Sequence, residues 1–207
     1  MKITIFGATG RTGSRLVKKA LHDKHEVTIV TRQIAKVCFD PEQLRIIEGN
    51  VTTPEIVQTA VEGADVIISC LGADDISKPF KMISEGTKNI VEAMQAAGIR
   101  RFITMAGSGI LAHADAKYRG RVDFPPFLQF VFEDNLRAYK IIRETDLDWT
   151  IICPTNMPEG PSIGTYRTEI DYLPHEPKPV SVGDVAGLIY KAVNENLFIK
   201  NRVGVAN

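Results

Sequence analysis

The amino-acid sequence predicts an α/β fold, a doubly wound parallel sheet with helices on both faces. Short β-branched runs alternate with amphipathic segments along the chain, the pattern of repeated strand, helix and parallel strand units. The runs are apolar at consecutive positions, as strands covered by helices on both faces are. The 207 residues, 44% of them hydrophobic, suffice for one well-buried domain, and we predict a single domain over residues 1–207.

The elements follow from the same pattern. The predicted strands are, in chain order, "KITIF", "EVTIVTR", "LRIIEGNV", "ADVIISCLG", "RRFITMAGS" and "LDWTIICP". The first helix runs from about Thr12 to Asp23, because its apolar residues recur at the spacing of one helix face. "SEGTKNIVEAMQAAG" forms the next helix and stops at Gly98, since glycine commonly ends helices. A further helix runs from about Glu133 to Thr145.

Two connections are long, at about residues 109–132 and 156–181. Each follows a predicted strand and therefore lies at the carboxyl edge of the sheet, where doubly wound folds bind ligands. Long connections within a compact domain are more often functional than not, and the first is rich in aromatic residues. We predict that both form a small substrate-side region; a surface excursion or an oligomer contact is the alternative.

Composition and charge argue against several kinds of partner. Lys plus Arg and Asp plus Glu both number 25, so no net field attracts nucleic acid or an anionic membrane. No apolar run approaches the roughly 20 residues of a spanning helix, and "MKITIFG" lacks the features of a signal peptide. The three cysteines are far apart, which fits neither a disulfide framework nor a zinc site. We expect a soluble cytoplasmic protein, a monomer or small homo-oligomer, with no metal, nucleic-acid or membrane partner.

The stretch "FGATGRTG", residues 6–13, lies where the first strand turns into the first helix. Its three glycines, Gly7, Gly10 and Gly13, let the backbone approach a pyrophosphate without clashes from Cβ atoms. The following helix N-terminus offers unpaired N–H groups to the same anion. Glycines in this strand-to-helix context predict a dinucleotide site rather than a purely structural turn.

The end of the second strand indicates which dinucleotide is bound. An NAD site usually has Asp or Glu there to bind the ribose hydroxyls. This chain has "TRQ", with no acidic residue before Asp40. Arg32 is suited to a 2′-phosphate, and Arg11 in the glycine loop is placed to help from the other side. The sequence therefore predicts NADP, with NADPH preferred over NADH.

Taken together, "FGATGRTG", "TR", "GNV", "SEGTKNIVEAMQAAGIRRFITMAGS" and "DLDWTIICPTNM" resemble the atypical short-chain dehydrogenase/reductase family, which has the Rossmann fold. Within it the chain is most similar to the NmrA-like branch, and especially to the biliverdin-IXβ/flavin reductases, which use NADPH. The likeness extends to "VSVGDVAGLIYKAV", for which it implies another helix.

The resemblance implies a set of cofactor contacts. The pyrophosphate would be held by Gly7, Thr9, Gly10, Arg11, Thr12 and Gly13, and the 2′-phosphate by Arg32. Asn50 and Val51 would flank the adenine. The path to the nicotinamide would be lined by Leu71, Gly72, Met105, Ala106 and Gly107, and its ring covered by Pro154, Thr155 and Asn156.

The chain departs from the family in its acid/base residues. Typical members carry a Tyr-x-x-x-Lys pair in which the lysine lowers the pKa of the tyrosine. Here Tyr139 is followed at the fourth place by Arg143, and Ser108 stands just past the position of the usual paired serines. Ser108 and Tyr139 are the catalytic candidates, against the alternatives of a plain strand-end serine and a packing tyrosine. His113 is a candidate proton donor, although a solvated loop histidine is the commoner case.

These features favour an NADPH-dependent reductase that transfers hydride to a flat conjugated acceptor such as a flavin, a quinone or a tetrapyrrole. Such acceptors take hydride directly and can draw their proton from solvent, so a missing acid/base pair does not exclude them. The alternative is an NmrA-like NADP-binding regulatory protein that senses redox state without turnover. An isomerase or epimerase is disfavoured because it needs an acid/base pair.

Overall fold

The computed structural model describes residues 1–39, 44–73, 75–112 and 126–207. Within these ranges the chain forms an eight-stranded sheet with the strand order β3-β2-β1-β4-β5-β6-β8-β7. All neighbouring strands are parallel except β7 and β8, which are antiparallel. The strands are β1 (Lys2–Phe6), β2 (Glu26–Thr31), β3 (Leu44–Glu48), β4 (Val66–Ser69), β5 (Arg101–Met105), β6 (Asp148–Pro154), β7 (Arg167–Ile170) and β8 (Asn201–Ala206).

Helices cover both faces of the sheet. They are α1 (Arg11–His22), α2 (Pro54–Val61), α3 (Met82–Ala97), α4 (Gln129–Arg143) and α5 (Val182–Asn194). α1 and α5 bury Leu16 and Ile189 in one apolar cluster, whereas α2, α3 and α4 bury Val57, Ile90 and Ile142 in the cluster on the other face. The predicted doubly wound α/β fold is confirmed.

Most predicted elements are present, and the differences have local causes. Gly98 adopts a left-handed φ of 71° and ends α3, as predicted. Helix α2 is only eight residues long, and Gly204 breaks the apolar run in the sequence of β8, so neither element had a clear sequence pattern. The long connection predicted at residues 156–181 also contains a short strand, β7, that the sequence did not indicate. All four β7 residues are exposed, which explains why no apolar pattern marked this edge strand.

Several predictions concern residues outside the described ranges. Residues 113–125 of the long connection after β5 are among them, and they include His113. The described part of that connection contains a short turn of 3-10 helix at Ser108–Ile110 and another at Pro126–Leu128. Among the described helices, none has the length and apolar character needed to cross a membrane. Cytoplasmic residence stays a prediction.

The buried carboxylate of Asp184 in α5 fixes the segment that follows β6. It has no exposed surface and accepts hydrogen bonds from the backbone N–H groups of Ile163 and Gly164, at 2.7 and 2.8 Å. The hydroxyls of Ser162 and Ser181 donate to it as well, at 3.2 and 3.0 Å. A buried charge held by this many donors ties the segment firmly to the start of α5.

We predict that Asp184→Asn lowers the free energy of unfolding by about 2–4 kcal/mol, because the substituted amide leaves buried donors without an acceptor. Urea denaturation measures the loss. Asp146→Asn, at an exposed aspartate, is the matched control and should change stability by less than about 0.5 kcal/mol.

The same carboxylate makes stability depend on pH. Burial raises the pKa of Asp184, but hydrogen bonds from Gly164, Ile163 and Ser181 outweigh it and leave the pKa below its ordinary value. A lowered folded-state pKa contributes stability that is complete above the unfolded value of about 3.9 and is lost as the pH falls through the folded value. Asp184→Asn should therefore lose less stability on acidification than the wild type, and an identical acid dependence would contradict this.

Candidate functional site

A cleft of about 440 Å³ opens at the carboxyl edge of the sheet. It lies around the ends of β1 and β4, between which the strand order reverses, and this is where doubly wound folds bind ligands. The structure brings most of the sequence-predicted cofactor residues together in its lining, namely Gly7, Thr9, Gly10, Arg11, Thr12, Arg32, Asn50, Val51, Leu71, Gly72 and Met105.

The three glycines of the loop have different roles. Gly7 has a φ of +75°, and a Cβ there would lie 2.4 Å from the carbonyl oxygen of Cys70. A Cβ on Gly13 would lie 2.2 Å from the carbonyl oxygen of Gly7. These two glycines are therefore required by the turn itself. Gly10 is exposed at the cleft, and a Cβ there would make one tight contact, 3.2 Å from Gly7. Its missing side chain leaves space in the cleft.

The N-terminus of α1 has no side-chain cap. Its N-cap is Gly10, which has no side chain to accept from the first N–H groups, and the first turn contains no acidic residue. In the described α1 these donors and the positive end of the helix dipole face the cleft. This is the arrangement that accommodates a phosphate, so the loop fits the diphosphate of a dinucleotide.

Arg32 lies at the end of β2, as the sequence predicts. The hydroxyl of the preceding Thr31 is 3.2 Å from both the N–H and the carbonyl oxygen of Gln33, and this contact fixes the turn. Arg11, in contrast, donates to the carbonyl oxygen of Met157 at 2.9 Å, beyond β6. Because β2 and β6 are separated by three strands, this conformation does not bring Arg11 to the side of Arg32.

The adenine-side residues are held by local contacts. The side-chain oxygen of Asn50 accepts from the N–H of Thr52 at 3.2 Å. Val51 is 6% exposed, and its carbonyl accepts from the side-chain amide of Asn89 at 3.0 Å. A Cβ on Gly86 of α3 would lie 2.8 Å from a methyl carbon of Val51. Gly86, which the sequence analysis missed, therefore allows α3 to pack against this wall.

The cleft lining also includes sulfur-containing and apolar side chains. They are Cys70, Leu71, Met82, Met105 and Met157. Sequence reasoning missed Cys70, Met82 and Met157, because methionine and cysteine in a sequence more often mark a core than a site. Burial raises the pKa of the Cys70 thiol to about 12, so it is protonated at neutral pH.

The position of Met82 depends on a buried carboxylate of α4. Asp134 has no exposed surface and accepts from the N–H groups of Ile83 and Ser84 at 2.8 and 3.3 Å. It thereby caps the first turn of α3, whose own N-cap, Lys81, makes no side-chain hydrogen bond to it. This cap holds the start of α3, and with it Met82, at the cleft.

The ionisable side chains among the described residues that line the cleft are Arg11, Arg32 and Cys70. Arginine is permanently charged, and the thiol of Cys70 stays protonated. This part of the molecule therefore provides no group that exchanges a proton near pH 7. The cleft is suited to binding and orienting a ligand, and to reactions in which the protein itself moves no proton.

Neither catalytic candidate lines the cleft in the described structure. The ring of Tyr139 packs edge-on against Trp149, with centroids 6.3 Å apart, and the Arg202 guanidinium lies 4.7 Å above it. Ser108 is half-buried and begins a short turn in which its carbonyl accepts from Leu111 at 3.0 Å. The predicted cofactor contacts that also lie outside the lining are Gly13, Ala106, Gly107, Pro154, Thr155 and Asn156.

We predict that Gly10→Ala distinguishes the role of the loop in folding from its role in phosphate binding. The protein should fold with a loss of about 1 kcal/mol, yet its affinity for NADP should fall by about tenfold or more, because the new methyl group fills space meant for the diphosphate. Gly13→Ala should instead destabilise the fold by about 3 kcal/mol or more. Thermal denaturation and calorimetric titration measure the two effects. Unchanged affinity in folded Gly10→Ala would mean that the loop is only a turn.

Comparison with known proteins agrees with this geometry. The chain is 28% identical over 173 residues to the photosystem II assembly factor Ycf39 of Synechocystis; the match covers 82% of this chain and 49% of that protein. The chain thus spans about half the length of this curated relative.

Solved structures share the fold over the full length of the chain. A protein of Burkholderia pseudomallei is 26% identical with a TM-score of 0.83, covering 100% of both chains. A candidate NADH-flavin reductase of Streptococcus pneumoniae is 22% identical with a TM-score of 0.84, covering 100% of this chain and 99% of the other. A short-chain dehydrogenase/reductase of Veillonella parvula, solved in complex with NADP, is 22% identical with a TM-score of 0.75, covering 100% and 94%.

A family model described as NAD(P)H-binding matches residues 7–196. This range begins at the first glycine of the loop and includes every helix from α1 to α5. It therefore contains most of the residues that line the cleft. The chain belongs to the NAD(P)H-binding family.

Proposed function

We propose that this chain is an NADPH-dependent reductase that delivers hydride to a flat conjugated acceptor, such as a flavin, a quinone or a linear tetrapyrrole. One observation carries the proposal: besides the glycine loop and the arginines, the described lining of the cleft includes thioethers, a leucine and a protonated thiol. That lining accommodates a flat apolar ring and supplies no proton. The likeness to the NmrA-like branch and to the biliverdin-IXβ/flavin reductases is part of this proposal.

The chain's own residues fit the cofactor. The uncapped N-terminus of α1 would accept the diphosphate, Val51 would border the adenine, and Leu71 and Met105 would lie along the path to the nicotinamide. When bound, NADPH supplies a hydride, that is, two electrons and one hydrogen nucleus. The acceptor's remaining proton then comes from water, so the reaction balances without a protein acid.

The methionines would orient the two rings. Thioether sulfur makes favourable contacts with aromatic rings, and methionine adapts to rings of different outline. Met105 and Met157 come from the ends of neighbouring strands, β5 and β6, so they approach the cleft from adjacent positions. Holding donor and acceptor rings in contact lowers the barrier by positioning alone. This wall favours several flat acceptors rather than one that requires specific hydrogen bonds.

The preference for NADPH over NADH would come from Arg32. The end of β2 reads Thr31, Arg32, Gln33, with no carboxylate for the ribose hydroxyls. A guanidinium forms paired, charge-assisted hydrogen bonds with a phosphate. Arg32 lines the cleft beside Asn50, on the adenine side, where a 2′-phosphate would lie.

A second candidate function is an NADP-binding regulatory protein without turnover. The packed position of Tyr139 and the lack of a proton-exchanging group among the described lining residues suit it equally well. The relative named as a photosystem II assembly factor also favours it, since that name describes assembly rather than a reaction.

The proposal predicts acceptor-dependent oxidation of NADPH. Purified protein is mixed with NADPH and, in turn, FMN, a soluble quinone and biliverdin, and the nicotinamide absorbance band is followed. At least one acceptor should be reduced, and kcat should vary by less than about twofold between about pH 6 and 8.5, because none of the described residues that line the cleft is an acid or base that exchanges its proton in this range. Tight NADPH binding without oxidation by any acceptor would contradict the reductase function and favour the regulatory function.

Cofactor choice is tested by Arg32→Glu. Reversing the charge should raise the Kd for NADPH by about 10- to 100-fold and change that for NADH by less than about threefold, because only NADPH carries the 2′-phosphate. Arg45→Glu, at an exposed position of β3, makes the same charge change and should leave both constants within about twofold. Equal effects on the two cofactors would contradict the assignment of Arg32. Calorimetric titration measures the constants.

A further inference from the structure

The segment after β6 is bound to the first turns of α1 by ionic contacts at the edge of the cleft. Arg15 forms an ion pair with Glu159 at 2.8 Å, between Nη2 and Oε2. Arg11 lies farther from the same carboxylate, at 3.7 Å between Nη1 and Oε1, and donates to the carbonyl oxygen of Met157 at 2.9 Å. Arg11 and Met157 both line the cleft. A carboxylate of the protein is thus placed next to the surface where a diphosphate would bind.

The backbone around Glu159 is firmly held. The N–H of Val182 donates to the carbonyl of Pro158 at 3.1 Å, and the N–H of Gly183 donates to that of Gly160 at 3.2 Å. The hydroxyl oxygen of Ser181 lies 2.6 Å from the carbonyl oxygen of Pro161. These bonds lie on both sides of Glu159 and connect to the network of Asp184 described above. The carboxylate is therefore presented to α1 at a fixed position.

We infer that Glu159 is a counter-anion for Arg11 that the diphosphate of the dinucleotide displaces, while Arg15 keeps the carboxylate in place. This rests on the proposed function only in that the cleft must bind a dinucleotide. Glu159 then sets cofactor affinity, since every molecule that binds must take over part of the Arg11 charge. It acts through Arg11 and is a positioning residue, not a catalytic one.

The distances and exposures favour this exchange. The Arg11 and Glu159 side chains are both 58% exposed, and ion pairs that exposed contribute little to stability. A phosphate at the α1 N-terminus offers Arg11 a stronger, charge-assisted partner. The shorter pair with Arg15, whose side chain is 34% exposed, remains intact and partly neutralises the carboxylate beside the incoming diphosphate. Arg15 does not line the cleft.

The test compares Glu159→Gln with Glu144→Gln. Glu144 is an exposed glutamate paired with Arg143 at 2.9 Å, directly after α4, so it gives the same charge change away from the cleft. Calorimetric titration at low ionic strength uses NADPH, ADP-ribose and adenosine 2′,5′-bisphosphate. Glu159→Gln should bind NADPH and ADP-ribose about three- to tenfold more tightly than the wild type. Its gain for the bisphosphate, which has a single 5′-phosphate in place of the diphosphate, should be smaller.

Salt dependence and a second substitution separate this role from a merely structural one. The gain in affinity of Glu159→Gln should shrink as salt is added, because it is electrostatic. Arg15→Gln should weaken NADPH binding in the wild type by more than it does in the Glu159→Gln background, since Arg15 acts partly by holding the carboxylate. If the ion pairs of Glu159 only stabilised the fold, neither result would be observed.

The outcomes are distinguishable. If the wild type binds NADPH and Glu159→Gln binds it equally or more weakly, the counter-anion role of Glu159 is contradicted. The reductase proposal then still stands. If Glu144→Gln gives the same gain, the effect is one of net charge and the inference also fails. If wild-type protein binds neither NADPH nor ADP-ribose, both the inference and the proposed function fall.

Discussion

The close contact between Gly13 and the carbonyl of Gly7 is the constraint on which the site depends. No side chain fits between them, since a Cβ on Gly13 would lie 2.2 Å from that oxygen. The chain must therefore turn sharply out of β1, and α1 begins pressed against the strand end with its first N–H groups facing the sheet edge. The carbonyl of Cys70, equally close to Gly7, ties the same turn to β4 across the point where the strand order reverses.

Two buried carboxylates hold segments that contribute to the cleft. Asp184 binds the segment after β6 to the start of α5, and Asp134 caps the first turn of α3. Neither carboxylate lines the cleft, but Met157 and Met82, which do line it, belong to the segment after β6 and to the start of α3. The lining thus combines backbone N–H groups and arginines with thioethers. Such a combination suits a charged cofactor with a flat reacting ring.

The sequence predicted the parts of this arrangement that local rules determine. Apolar runs marked the parallel strands, and the glycine loop and Arg32 were expected at the sheet edge because each directly follows a strand; both line the cleft. Met82 and Met157 were missed since only tertiary contacts bring them to the cleft. The sequence left a packing role for Tyr139 open, because the ring contacts Trp149 on a distant strand. The contact of Arg11 with Met157 could not be predicted either, as the two residues are far apart in sequence. β7 has no apolar pattern, so the sequence did not predict this strand.

We propose that this cleft binds NADP, with its nicotinamide against described residues that exchange no proton near pH 7. A crystal structure of the chain with NADP⁺ tests it most directly. The account predicts the diphosphate at the α1 N-terminus, the 2′-phosphate at Arg32, and the reactive face of the nicotinamide turned towards Met105 and Met157. It predicts no ionisable side chain within hydrogen-bonding distance of that face. A dinucleotide bound elsewhere, or a histidine, tyrosine or carboxylate beside the reactive carbon, would contradict it.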